Sequence, residues 1–295
     1  MAILVGRETR VLVCGMTGKE GTFHTEQMIA YGTQIVGGVT PGKAGMRHLD
    51  RPVFDSAADA VAETGANAAI VFVPGPFAAD SVLECEAAGI PFVVCISDWL
   101  PIHDEIRMVN RIQANGETRL LGPNCAGIIT PGECKMGIMP SNIFTPGPIG
   151  LVSRSGTLTY EIVWELTRAG LGQTTCVGIG GDPLPGTRFL DVMEMFEADD
   201  ATQAVVLVGE IGGSDEETAC EFIRTMSKPV VGFISGRTAP PGKRMGHAGA
   251  IISGNTGTPQ GKVDALLTAG ATVADRTSDV PRLVAEALDR VPVGR

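Results

Sequence analysis

The stretch Val11–His24, "VLVCGMTGKEGTFH", decides the reading of the fold. An apolar run ends at Cys14, glycines follow at 15, 18 and 21, and helix-forming sequence begins at once. A strand that passes through a glycine loop into a helix opens a βαβ unit, and the free N–H groups of the helix N-terminus face an anion. The spacing is G-x-x-G-x-x-G, not the G-x-G-x-x-G of dinucleotide sites. The other reading of the loop is that its glycines simply let strand and helix pack closely.

Working outward, "TQIVGGVT", "AAIVFVPG" and "FVVCIS" read as further strands, with helices starting near Gly21, Ser56, Phe77 and His103. Continuous apolar strands separated by helices imply a parallel sheet buried on both faces. The segment Cys125–Pro148 holds four prolines and four glycines and has no helical period, so it reads as a connection. A second alternating set follows: "IGLVS", "TTCVGI", "QAVVLVG" and "PVVGFIS", with helices at 156–169, 188–197, 215–226, 262–269 and 279–289. The expected organisation is an α/β chain of two doubly wound domains, residues 1–125 and 149–295, joined by 126–148. Ligands in such sheets bind at the carboxyl ends of the strands.

Composition narrows the partners. A net charge of −10 argues against nucleic acid, whose phosphates need a Lys/Arg surface. No apolar run approaches the roughly 18 residues of a membrane span, and the N-terminus lacks the pattern of a signal peptide. Seven cysteines without C-x-x-C spacing, several of them in apolar runs, fit a reducing compartment and the cytoplasm. No two of the four histidines are spaced as metal ligands.

Four strand-ending loops can carry chemistry. After the first strand, the second ends in "GGVTPGK" without the acidic residue that would hold a ribose hydroxyl, which disfavours NAD. Lys43 there offers charge to another phosphate, as in CoA. "GLVSRSGTLTYE", Gly150–Glu161, is again an anion cradle before a helix; ordinary N-capping by Ser155 or Thr157 is the alternative. It lacks the G-x-S-x-G of a hydrolase elbow. "VGEIGG" places Glu210 just past an apolar strand, where it can orient a histidine or act as a solvated helix cap. "GKRMGHAGAII", Gly242–Ile252, sets His247 among glycines that leave room for a bulky group on the ring, or holds a structural histidine. His24, His48 and His103 read as structural.

Together with "VGIGGDPLPG" and "GPNCAG", these motifs, in order over essentially the whole chain, resemble the α subunit of succinyl-CoA synthetase, or succinate–CoA ligase. The resemblance implies a CoA-binding Rossmann-like domain followed by a flavodoxin-like domain carrying a transiently phosphorylated histidine. The family reaction, a step of the tricarboxylic acid cycle, converts NTP, a dicarboxylate and CoA to acyl-CoA, NDP and phosphate through phosphohistidine and an acyl phosphate.

Carried residue by residue, the resemblance makes His247 the phosphoryl carrier and Glu210 its orienting acid. Ser153, Ser155 and Gly156 form the phosphate cradle, and Tyr160 lies near the carboxylate substrate. CoA falls to Thr17, Gly18, Lys19, Glu20, Lys43, Ile96, Ser97 and Asp98. The sequence departs from the family at "DWLP", where Trp99 replaces a glycine, and at Ala126, a feature shared with malate–CoA ligases. Succinate is therefore the first substrate, with malate–CoA ligase or a non-catalytic CoA-binding module as alternatives. The chain lacks a Walker A motif. The resemblance supplies ATP or GTP and Mg²⁺ from an ATP-grasp β subunit, in an αβ or α2β2 assembly.

Overall fold

The computed structural model describes residues 3–240, 242–252 and 256–289. The described residues divide into two compact units, Leu4–Met139 with Leu184–Thr187, and Ile3 and Pro140–Pro183 with those from Arg188 to 289.

The first unit contains β1 (Arg10–Cys14), α1 (Lys19–Tyr31), β2 (Gln34–Val39), β3 (Arg47–His48), β4 (Arg51–Phe54), α2 (Ala57–Thr64), β5 (Ala68–Val71), α3 (Gly75–Ala87), β6 (Phe92–Cys95), α4 (Ile102–Asn115), β7 (Arg119–Leu121), β8 (Gly127–Thr130) and β9 (Cys134–Gly137). The strands β4-β2-β1-β5-β6-β7 are parallel neighbours in that order, with β3 antiparallel at the β4 edge. Every residue of β5 and β6 is buried, which explains their unbroken apolar sequence. Counted along the chain, the parallel strands run 3-2-1-4-5-6, the Rossmann order, whose switch point lies between β1 and β5.

The glycine loop is shaped by close approach. A Cβ added to Gly21 would lie 2.2 Å from the Gly15 carbonyl oxygen, so α1 starts directly on the loop. Close strand–helix packing is thus one use of these glycines. The other survives beside it: Gly18 stands at the N-cap and supplies no side-chain bond to the first turn of α1.

The segment 126–148, read as a connection, contains the antiparallel pair β8 and β9, registered from Gly127↔Gly137 to Thr130↔Cys134. Its prolines and glycines hid this hairpin, because they stand at its turn and ends and not in its paired middle. The Thr33 hydroxyl binds it from the other side, donating to the Lys135 carbonyl at 2.8 Å and accepting from its N–H at 3.0 Å. The distant residues Leu184–Thr187 complete this unit. Leu184 N–H donates to Glu105 at 3.1 Å, Gly186 N–H to the Gly122 carbonyl at 2.9 Å, and the Thr187 hydroxyl to the Leu120 carbonyl at 2.6 Å.

The second unit contains β10 (Pro146–Ser153), α5 (Gly156–Arg168), β11 (Gln173–Gly178), α6 (Phe189–Ala198), β12 (Ala204–Glu210), α7 (Asp215–Ile223), β13 (Val230–Ser235), α8 (Pro259–Thr268), β14 (Thr272–Ala274) and α9 (Val280–Asp289). Five parallel strands run β14-β13-β12-β10-β11, a flavodoxin-like 2-1-3-4-5 order with its switch point between β10 and β12. α8 begins three residues earlier than its sequence pattern indicates, because Thr258 caps it through Gly261 N–H and Pro259 occupies the first turn.

Gly21→Ala is expected to lower stability by about 1–3 kcal/mol, the usual cost of forcing atoms into a packed site. Urea unfolding of the two proteins measures the difference, and an unchanged midpoint would contradict the close approach.

Candidate functional site

In the second unit, β10 and β12 are adjacent and in register, Ser153 opposite Val208. Their carboxyl ends bring together the loops after β10, β11 and β12 and the stretch after β13. Every residue of β12 is buried, so the strand delivers Glu210 to the edge with its side chain only 7% exposed. A buried carboxylate must be paired, and this excludes the solvated-cap reading.

Two groups pair it. His247 Nδ1 lies 2.8 Å from Glu210 Oε2, and Arg154 Nε lies 3.6 Å from Oε1. An ionised carboxylate accepts, so Nδ1 carries the proton and Nε2 of the neutral ring keeps its lone pair. The hydrogen bond to Glu210 raises the His247 pKa above the ordinary histidine value, against the opposing effect of burial; the charges of Glu210 and Asp182 also raise it, and Arg154 lowers it.

Arg154 does more than neutralise charge. Its Nε donates to the Gly180 carbonyl at 3.3 Å and its Nη2 to the Asp182 carbonyl at 2.7 Å, which draws the loop after β11 into the site. Gly181 in that loop lies against the imidazole: a Cβ there would come within 2.4 Å of His247 Cγ. Space for the ring therefore comes from Gly181. Of the glycines flanking the histidine, Gly246 serves the turn, with φ +83°.

The serines of "SRSG" are engaged locally. Ser153 Oγ donates to the Ser155 carbonyl at 2.9 Å and accepts from Ser155 N–H at 3.1 Å. Ser155 caps α5 through Leu158 N–H at 3.4 Å, as the capping alternative expected. Gly156 and Thr157 belong to the first turn of α5, whose N–H groups an α-helix cannot satisfy internally. Tyr160 lies one turn further into α5.

In the first unit, Lys43 Nζ donates to Thr17 Oγ1 at 3.0 Å, which joins the loops after β1 and β2. Thr17 donates in turn to Thr40 at 3.2 Å. Gly18, Lys19 and Glu20 open α1. Ile96, Ser97 and Asp98 follow β6, held by Ile96 N–H on the Val71 carbonyl at 3.1 Å, Asn124 N–H on the Ser97 carbonyl at 2.9 Å, and Ser97 Oγ on the Val73 carbonyl at 2.5 Å. A cation, hydroxyls and an uncapped helix N-terminus at one sheet edge suit a phosphate-bearing ligand. Trp99 beside them is 82% exposed and takes φ +59°, in the left-handed region that favours glycine. His24 stacks on Phe72 and His48 bonds Thr22, both structural uses.

Sequence reasoning missed Arg154 and Gly181, and with them Glu216, whose Oε1 accepts from Glu210 N–H at 3.0 Å. "SRSG" and "VGIGGDPLPG" contained the first two, but each was read for its other residues.

Comparison with known proteins gives the family. Residues 6–99 match the CoA binding domain family and residues 152–272 the CoA-ligase family. The "Succinate–CoA ligase [ADP-forming] subunit alpha 2" of Archaeoglobus fulgidus is 59% identical over 98% of this chain and all of its own. The corresponding α subunit of Aquifex aeolicus is 54% identical over 98% of this chain and 95% of its own. The ATP citrate lyase of Methanothrix soehngenii, solved with citrate and coenzyme A, superimposes with a TM-score of 0.88 at 25% identity; it covers 97% of this chain, which spans about half, 50%, of the lyase chain. A CoA-binding unit followed by a CoA-ligase unit defines a subunit of an acid–thiol ligase. Within that class, the chain belongs to the succinate–CoA ligase α-subunit family.

A histidine whose pKa is raised by folding stabilises the fold while the protonated form is populated. The contribution is full below about pH 6.5, the unfolded value, and is lost as pH rises through the raised folded value. The unfolding free energy of wild type relative to His247→Asn is therefore expected to be highest in mild acid and to decline toward alkaline pH. Urea melts across that range measure it, and a flat difference would contradict the Glu210 bond.

Proposed function

We propose that the chain is the α subunit of a succinate–CoA ligase in which His247 carries the phosphoryl group between nucleotide and carboxylate. The observation that carries the reading is the 2.8 Å pair of His247 Nδ1 and Glu210 at the switch point of the second sheet. With Nδ1 holding its proton for the carboxylate, Nε2 is the nucleophile. It forms the N–P bond as the P–O bond to the nucleoside diphosphate breaks, and Glu210 stabilises the positive charge that develops on the ring. The imidazole is in turn a good leaving group: a carboxylate oxygen of succinate attacks phosphorus, the O–P bond forms as the N–P bond breaks, and the ring is released with the phosphoryl group on the succinate. The acyl phosphate is then attacked by the CoA thiolate, giving thioester and inorganic phosphate.

The chain's own groups stabilise these displacements. Arg154 and the first-turn N–H groups of α5 present positive charge at the ring, with Gly156 opening that turn and Ser153 and Ser155 fixing its shape. Tyr160 is the proposed carboxylate contact. Thr17, Gly18, Lys19, Glu20, Lys43 and Ile96–Asp98 are the proposed CoA contacts, and Lys43 with the α1 N-terminus fits its phosphates.

The nucleotide and Mg²⁺ site belongs in this reading to an ATP-grasp β partner, in an αβ or α2β2 assembly, because the sequence carries no Walker A motif. A cytoplasmic location is part of the proposal, and its support is seven cysteines that are all buried and form no disulfide. Among the described residues no helix is long and apolar enough to cross a membrane.

Incubation of the reconstituted pair with γ-labelled ATP or GTP is expected to give base-stable, acid-labile label on wild type and none on His247→Asn. Equal labelling of both would sink the phosphohistidine. Glu210→Gln should slow labelling and move its acid limb to lower pH, since losing the carboxylate lowers the ring pKa. Lys43→Ala is expected to raise KM for CoA about tenfold with kcat little changed, the loss of one charge-assisted hydrogen bond. Rates with succinate, malate and itaconate test the acid, and equal kcat/KM values would refute the succinate assignment.

A further inference from the structure

Behind the histidine and its acid lies a second charged pair. Lys262, in α8, and Glu216, in α7, both have fully buried side chains, 0% exposed, and their charged ends are in contact. Lys262 Nζ also donates to the Gly212 carbonyl at 2.7 Å and lies 3.6 Å from Glu217 Oε2. The second oxygen of Glu216 accepts from Glu210 N–H at 3.0 Å. The Glu216 side chain crosses Gly209 so closely that a Cβ there would lie 2.6 Å from its Oε1. Gly212 is tied from the other side, its N–H donating to the Gly257 carbonyl at 2.9 Å. The backbone on both sides of Ile211 is therefore held by one buried ion pair.

Stability alone does not account for such a pair. Removing two charges from water costs several kcal/mol per ion, and a well-packed apolar replacement is often neutral or stabilising. What an apolar pair could not do is grip the Glu210 N–H and the Gly212 carbonyl in fixed directions. We infer that Lys262 and Glu216 are positioning residues for His247: they lock the Glu210–Gly212 backbone so that the Glu210 carboxylate meets the imidazole. This rests on the reading of His247 as phosphoryl carrier. Of the other charges nearby, Glu217 faces Lys262, and Arg154 acts on both Glu216 and Glu210. The partners of Glu216 and Lys262 are Glu210, Gly212, Glu217 and each other, and not the His247 ring.

The test uses two double variants of the full chain. Glu216→Gln with Lys262→Met removes both charges but keeps an oxygen for the Glu210 N–H. Glu216→Leu with Lys262→Met removes the acceptor as well. Titration of the His247 ring by NMR is expected to stay near the wild-type value in the first and to drop toward the ordinary histidine value in the second. Labelling of the reconstituted pair should fall about tenfold to a hundredfold in the second, as small misplacements of a catalytic group produce, and recover largely in the first.

A folded Leu/Met protein that titrates and labels as wild type overturns the inference, as do two variants that behave alike. Should the Leu/Met protein lack a cooperative melt, Glu216→Met with Lys262→Met, which also lacks the acceptor for the Glu210 N–H, decides in its place: a lowered ring titration supports the inference and an unmoved one overturns it. The titration needs no phosphoryl donor. Failure of wild type to take label would thus refute the carrier reading separately.

Discussion

A carboxylate delivered to the end of a fully buried strand has to be paired, and the arrangement of the second unit follows from that requirement at Glu210. Its charge is met by Arg154 and by His247, which come from different loops. Arg154 has hydrogen bonds to spare and spends them on the carbonyls of Gly180 and Asp182, so a third loop closes in. That loop places Gly181 beneath the imidazole, where only a residue without a side chain fits. One buried charge thereby fixes four stretches of chain that are remote in sequence. A ring held this way gives one nitrogen to its anchor and keeps the lone pair of the other.

The two sheets meet the same constraint in different ways. Parallel strands buried on both faces leave no place for polar chemistry except their ends. In the first unit the switch point gathers backbone N–H groups, hydroxyls and Lys43, all suited to holding a large anion without transforming it. In the second it gathers a carboxylate, a guanidinium and an imidazole, a set of charged and ionisable groups held around one ring. The contrast lies in what ends the strands and not in the architecture of the sheets.

Much of this was legible in the sequence, because strand-ending loops announce themselves through apolar runs that stop at glycine. Glu210, His247, Lys43 and the glycine loop were all found that way. Arg154 was not, since an arginine between two serines reads as a surface cation until the 180–182 loop folds over it. Lys262 and Glu216 stand on separate helices, 46 residues apart, and only tertiary packing brings them together. The strands β7 and β14, three residues each, are too short for a periodic signal. The β8–β9 hairpin was masked by the prolines and glycines around it. At Trp99, where the resemblance leads to an expected glycine, the backbone takes a conformation that favours glycine.

Leu184–Thr187 carry a consequence for inheritance. These four residues are encoded after the first strands of the second unit, yet they complete the hydrogen bonding of the first at Glu105, Leu120 and Gly122. The CoA-binding unit is consequently not one uninterrupted stretch of gene. A fragment ending at residue 139 would lose the donors that reach the Leu120 and Gly122 carbonyls and the Glu105 carboxylate. Shuffling by a single crossover would separate the unit from part of itself, so the two units are constrained to evolve together on one chain.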